Sequence, residues 1–106
     1  MSDTFTKGAY PVPVAEKAVS AHHPGFSFGV FRDPPGQVWA NFVHDRDEYV
    51  VVAEGVVEIE VVEESEQCGP GDLVRIPAGA RHTLRTSQAA GSVWFYGYGW
   101  FGGADG

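Results

Sequence analysis

From Phe26 onward, apolar and polar residues alternate with a period of two in short runs: FSFGVF, VWANF, EYVVV, VVEIEVV, DLVRI and SVWFY. Alternate residues of a strand face opposite sides of a sheet, so each run predicts a strand with one buried face. Turn-forming residues separate the runs, at Asp33-Pro34-Pro35-Gly36, Glu54-Gly55, Gly69-Pro70-Gly71, Pro77-Ala78-Gly79 and around Gly91. Six or more short strands at this spacing predict an all-β fold, either a sandwich, a jelly roll or a barrel. Only VAEKAVSAHH, residues 14–23, has a helical pattern, and Pro24 ends it. Residues 1–13 mix Ser, Thr, Asp, Gly and two prolines and read as an arm, with Tyr10 and Val12 able to pair along a sheet edge. A single domain is expected over residues 14–106.

A chain of 106 residues fits one domain with a modest core, so any site is expected within that core. Fourteen acidic against seven basic side chains give a net charge of -7, which repels phosphate backbones and anionic lipid headgroups. Nucleic acid and membranes are therefore not expected as partners. Cys68 is the sole cysteine, which excludes an internal disulfide and a cysteine-cluster zinc site. Together with the absence of a basic, apolar leader pattern in MSDTFTKGAY, this leads to a cytoplasmic expectation.

Two segments carry the chemistry. In GDLVRIPAGARHTLRT, Gly71, Pro77, Gly79 and His82 follow the spacing G-x5-P-x-G-x2-H, with Thr86 at its close. In NFVHDRDEYVVVAEG, three residues separate His44 from Glu48 and six separate Glu48 from Gly55. Taken together these resemble the paired motifs of the cupin superfamily. His44 matches the second histidine of the first motif's H-x-H pair, and Phe42 stands where the first would be. The resemblance covers most of residues 36–86 and implies a single-domain jelly roll, a double-stranded β-helix barrel, with its site inside one end.

The resemblance further implies His44, Glu48 and His82 as ligands of a divalent transition metal, whether iron, manganese, nickel, zinc or copper. Two imidazoles and a carboxylate on one face leave coordination positions open. The alternative is a metal-free cluster in which Glu48 pairs with one of the histidines, because a buried carboxylate needs a partner. Asp47 is the alternative ligand, although the Asp45-Arg46-Asp47 run also reads as a solvated turn. Trp39, Phe42, Val50, Trp94 and Tyr96 are expected to line the pocket and favour a small apolar or aromatic molecule.

Three functions fit: a metal-dependent oxygenase, a non-catalytic small-molecule binder or sensor, and a metal-independent sugar isomerase or epimerase. The last needs a second acid or base, and Lys7 and Lys17 lie outside both motifs. The remaining aromatic surface suggests a homodimer face. His22 and His23 read as solvated loop residues, Cys68 as packing, and Glu58, Glu60, Glu63, Glu64 and Glu66 as a solubilising strand face. Gly97, Gly99 and Gly102 spell G-x-G-x-x-G, yet no βαβ unit surrounds them and the match is spurious.

Overall fold

The computed structural model describes residues 4–101; the first three residues of the expected arm, and the glycine-rich tail with Gly102, lie outside the described residues. The alternating runs become strands. In chain order the elements are β1 (Phe5–Thr6), α1 (Glu16–His22), β2 (Ser27–Asp33), β3 (Val38–Phe42), β4 (Asp47–Glu54), β5 (Val57–Val61), β6 (Glu64–Cys68), β7 (Leu73–Ile76), β8 (His82–Thr86) and β9 (Ser92–Gly99). A five-stranded antiparallel sheet, ordered β1-β7-β4-β9-β2, faces a four-stranded one, ordered β3-β8-β5-β6. This is the all-β jelly roll. Among the described residues, no helix is long and apolar enough to cross a membrane.

Alternation sorts the side chains into two packed layers. Val50 and Val52 of β4, Val57, Ile59 and Val61 of β5, Val74 and Ile76 of β7, Leu84 of β8 and Trp94 of β9 meet between the sheets. Their neighbours in sequence, Val51 and Phe95, point the other way and pack with Tyr10 and Val19 under the N-terminal segment and α1. The central strands β4 and β9 are thus covered on both faces. That explains why EYVVV is apolar at consecutive positions instead of strictly alternating.

Within the expected arm, Phe5 and Thr6 pair with Val74 and Leu73, and the Tyr10 N–H donates to the Gly71 carbonyl (3.0 Å). Asp72 latches this segment to the β6–β7 turn. One carboxylate oxygen accepts the Gly8 N–H (2.7 Å), the other accepts the Gly69 N–H (2.7 Å), and the Lys7 ammonium lies 2.8 Å away. Burial pushes the Asp72 carboxyl upward, but Lys7 and the two N–H groups outweigh it and hold the carboxyl below its usual value. Cys68 packs in the core with burial pushing its thiol up to about 12, which leaves it unreactive.

β9 also accounts for two of the glycines. A Cβ on Gly97 would stand 2.7 Å from the Phe28 ring, and one on Gly99 would stand 2.9 Å from the Phe26 ring. These glycines seat the aromatic side chains of β2 and the chain before it, which is their role in place of any phosphate loop.

Gly55 is as tightly constrained as Gly71 among the motif glycines, with φ at +82° and a Cβ position 2.5 Å from the Gly91 carbonyl oxygen. Gly55→Ala is therefore expected to lose at least about 1–2 kcal/mol from the left-handed backbone alone, read as a lower urea midpoint. An unchanged midpoint would show that this turn is free to rearrange.

Candidate metal centre

The two motifs are tied together by backbone. The Gly79 N–H donates to the His44 carbonyl (2.8 Å), and the Ala78 N–H donates to Asp47 Oδ1 (2.7 Å). The sharp Pro77-Ala78-Gly79 turn is thereby docked on the loop entering β4. The same docking brings His82, at the start of β8, across from Glu48, near the start of β4. His44, Glu48 and His82 then offer one ligand atom each, all within 4.8 Å of one another.

Glu48 is 3% exposed and His82 is 3% exposed, while His44 sits at the mouth. Glu48 Oε1 is 3.4 Å from His82 Nε2 and 3.7 Å from His44 Nε2. Despite that proximity Oε1 has no aligned hydrogen bond, so the contact with His82 is a charge attraction with poor hydrogen-bond geometry. A buried carboxylate oxygen left in this condition is costly. His82 Nδ1 lies 3.1 Å from the Ala80 carbonyl, which can only accept, so Nδ1 donates there and Nε2 faces Glu48, protonated when the ring is charged and presenting its lone pair when the ring is neutral. Burial lowers the His82 pKa, but the Glu48 carboxylate and the Ala80 carbonyl more than offset it, and the value is raised from its ordinary one.

Tyr98 completes the polar end. Its hydroxyl is 3.4 Å from His44 Nε2, and burial, then the nearby Glu48 carboxylate and Tyr96, push its pKa up to about 12. It remains a phenol over the physiological range. Beyond these groups a cavity of about 220 Å3 is walled by Phe31, Trp39, Phe42, Leu84, Trp94 and Tyr96. Phe42 pairs with His82 across β3 and β8, and its ring lies 6.1 Å from that of His44 at 17°. It stands beside the three donors as a hydrophobic wall.

Several expected positions require correction. Val50 does not line the pocket. It stands between Val74 and Tyr96 in the sheet and is fully buried in the core cluster. Asp47 is not an alternative donor, because its oxygens accept the N–H groups of Ala78 and Phe101 (2.8 Å) and staple the turn to the chain end of β9. His23 is not solvated as expected. Its ring lies 3.9 Å from that of Tyr49 and its Nε2 is 2.6 Å from the Tyr10 hydroxyl; burial, then the charges of His22 and Arg75, lower its pKa.

Phe31, Leu84 and Tyr98 join the lining beyond the positions expected. The signal for Tyr98 is present in the chain, since it lies two and four residues beyond Tyr96 and Trp94 on one face of a strand.

A family model described as a cupin domain matches residues 29–96. The chain belongs to the cupin family. None of the curated proteins compared with this cupin matches it. Among solved structures it is similar to TT1209 from Thermus thermophilus, at 30% identity over 65% of this chain and 68% of that one, with a TM-score of 0.61. A Rhizobium leguminosarum bv. viciae 3841 protein of unknown function is similar at 27% identity over 69% and 68%, with a TM-score of 0.62. The DMSP lyase DddQ from Ruegeria pomeroyi DSS-3 is similar at 23% identity over 70% of this cupin and 38% of that chain, with a TM-score of 0.64; this likeness extends to the fold alone.

The raised His82 pKa fixes the sign of a pH effect in chelator-treated protein. A raised value means that the His82–Glu48 attraction is fully present below the unfolded histidine pKa of 6.5 and is lost as pH rises through the folded value. This contribution to the urea midpoint is expected to fade from mildly acidic to alkaline pH in the wild type and to be missing from Glu48→Gln. A contribution that grows with pH would contradict the pairing.

Proposed function

We propose that this cupin binds a divalent transition metal through His44, Glu48 and His82 and acts on a small molecule with an apolar or aromatic body, as a metal-dependent oxygenase. The observation that carries the reading is Glu48 Oε1, buried without a hydrogen-bond partner and flanked by two imidazole nitrogens. A cation placed among those atoms removes the penalty of the unsatisfied oxygen and takes the place of the Nε2 proton, with Nδ1 already held by the Ala80 carbonyl. Two nitrogens and one oxygen suit a transition ion better than calcium or magnesium.

A bound ion of this kind would supply Lewis acidity and coordination positions open to substrate and oxygen. The remaining work falls to the chain. The aromatic wall excludes water from the apolar body of the ligand and orients it, while Tyr98 offers a phenolic O–H to an oxygen near His44. The metal-independent sugar isomerase is disfavoured by the same geometry. Among the described residues no lysine lines the cavity, Lys7 being paired with Asp72; Phe31, Phe42 and Leu84 have no polar group, and the Trp39 and Trp94 N–H groups are bonded to Asp33, which leaves little in the wall for a polyol.

A non-catalytic binder shares every one of these features and is separated by turnover. It would show ligand-dependent thermal stabilisation without product or oxygen uptake.

Elemental analysis of tag-free protein reconstituted with single metals is expected to give one ion per chain in the wild type. His82→Ala and Glu48→Ala are each expected to weaken binding by more than the roughly 10- to 100-fold lost with an outer partner of a ligand. Failure of the wild type to retain any transition ion would sink the metal reading. Affinity should fall as pH drops through the raised His82 value, because the protonated ring cannot ligate. Phe42→His places a fourth donor beside His44 and is expected to tighten binding, measured by competition with a chromophoric chelator.

A further inference from the structure

Behind the aromatic wall, and outside the cavity lining, lies a carboxyl group with no part in the metal site. Asp33, the last residue of β2, is 6% exposed. The Trp39 indole N–H donates to its Oδ1 (3.1 Å), and the Trp94 indole N–H donates to its Oδ2 (2.8 Å). Trp39 belongs to the four-stranded sheet and Trp94 to the five-stranded one, so a single side chain holds one ring from each layer. Phe31, two residues earlier on the same face of β2, fits between them. Its ring is 5.1 Å from Trp94 at 19° and 5.2 Å from Trp39 at 53°.

The arrangement has a chemical consequence. An indole has one polar donor, and both indole donors in this wall are spent on Asp33 and turned away from the cavity, while the Tyr96 hydroxyl, the wall's other polar group, lies over Gly29 of β2. The inner end therefore presents ring faces and C–H edges in fixed orientations, whereas the mouth presents the His44, Glu48 and His82 donors together with the Tyr98 hydroxyl. A ligand that satisfies both ends carries an oxygen-chelating head on a flat apolar body without polar substituents at its far edge.

We propose that Asp33 is a positioning residue that makes the pocket selective for planar aryl ligands bearing a chelating oxygen head, an inference that rests on the metal reading above. The competing account is that Asp33 only staples the two sheets together. The two accounts differ in what Asp33→Asn does. Asparagine keeps the volume and one acceptor oxygen but turns an NH2 group toward the other indole N–H, so one ring must leave its position.

The test uses zinc-loaded protein and two hydroxamates that share one chelating head, benzohydroxamate and acetohydroxamate, titrated by calorimetry. In the wild type the phenyl compound is expected to bind on the order of 10- to 100-fold more tightly, as burial of one ring predicts. In Asp33→Asn that ratio is expected to fall to within about threefold while the affinity for acetohydroxamate is kept. A ratio near one in the wild type, or an unchanged ratio in Asp33→Asn whatever its melting temperature, overturns the proposal. If the protein takes up zinc but only the selectivity fails, the metal reading stands without it; if it holds no zinc, both fall. Should Asp33→Asn not fold, Trp39→Phe at the sheet edge serves the same comparison. It removes one of the two indoles held by Asp33 and is expected to lower the ratio, and an unchanged ratio there also overturns the proposal.

Discussion

The antiparallel register of β4 against β9 decides which side chains enter the barrel. It sets Glu48 opposite Tyr98, Val50 opposite Tyr96 and Val52 opposite Trp94. A slip of β4 by one residue would turn its Glu48, Val50 and Val52 to the outer face and bring Tyr49 and Val51 inside. Such a slip is opposed from both sides, because the outer face is also packed, by Tyr10, Val19 and Phe28. Gly97 and Gly99 add a steric key, since only residues without a Cβ fit under the Phe28 and Phe26 rings. The position of the carboxylate in the site is therefore a by-product of how two aromatic layers lock one strand pair.

Once that register is set, the chain carries a local conflict. Glu48 is buried next to two histidines, yet one of its oxygens remains without a hydrogen-bond partner, and the nearest imidazole nitrogen is in contact without being aligned. Elsewhere the same fold satisfies its buried carboxylates fully. Asp72 accepts two backbone N–H groups and a lysine, and Asp33 accepts two indoles. The protein thus has the means to satisfy an acidic group and does not use them at Glu48. Among the described residues Glu48 is the buried carboxylate left with an unpartnered oxygen, and that oxygen lies where a cation would be accommodated.

Much of this is legible in the chain. The period-two runs announce six of the strands, and the spacing of Gly71, Pro77, Gly79 and His82 with His44 and Glu48 announces a site that the backbone bonds between the motifs then assemble. What escapes does so for physical reasons. β6, with the sequence ESEQC, has no alternating apolar face because its side chains are exposed up to Cys68, and its pairing with β5 supplies the structure that its pattern does not. Asp33 reads with Pro34, Pro35 and Gly36 as a turn, and nothing local distinguishes a turn aspartate from one that binds two indoles distant in sequence. Val50 fails as a pocket residue because inward-facing and cavity-lining are different properties: a short side chain beside Tyr96 faces inward and is covered.

Phe42 concerns the chemistry most directly. It occupies the position of the missing motif histidine, in register with His82 and stacked near His44, so a phenyl ring stands where a fourth donor would, with the strand in place. The exchange removes a ligand and in the same step adds an apolar face that continues the Trp39 wall, with those rings 6.1 Å apart. A three-donor site keeps more positions open for exogenous oxygen atoms than a four-donor one, and an aromatic neighbour shields them from bulk water. Loss of the histidine and growth of the hydrophobic pocket are one substitution, which couples how a metal would be held to what could be brought to it.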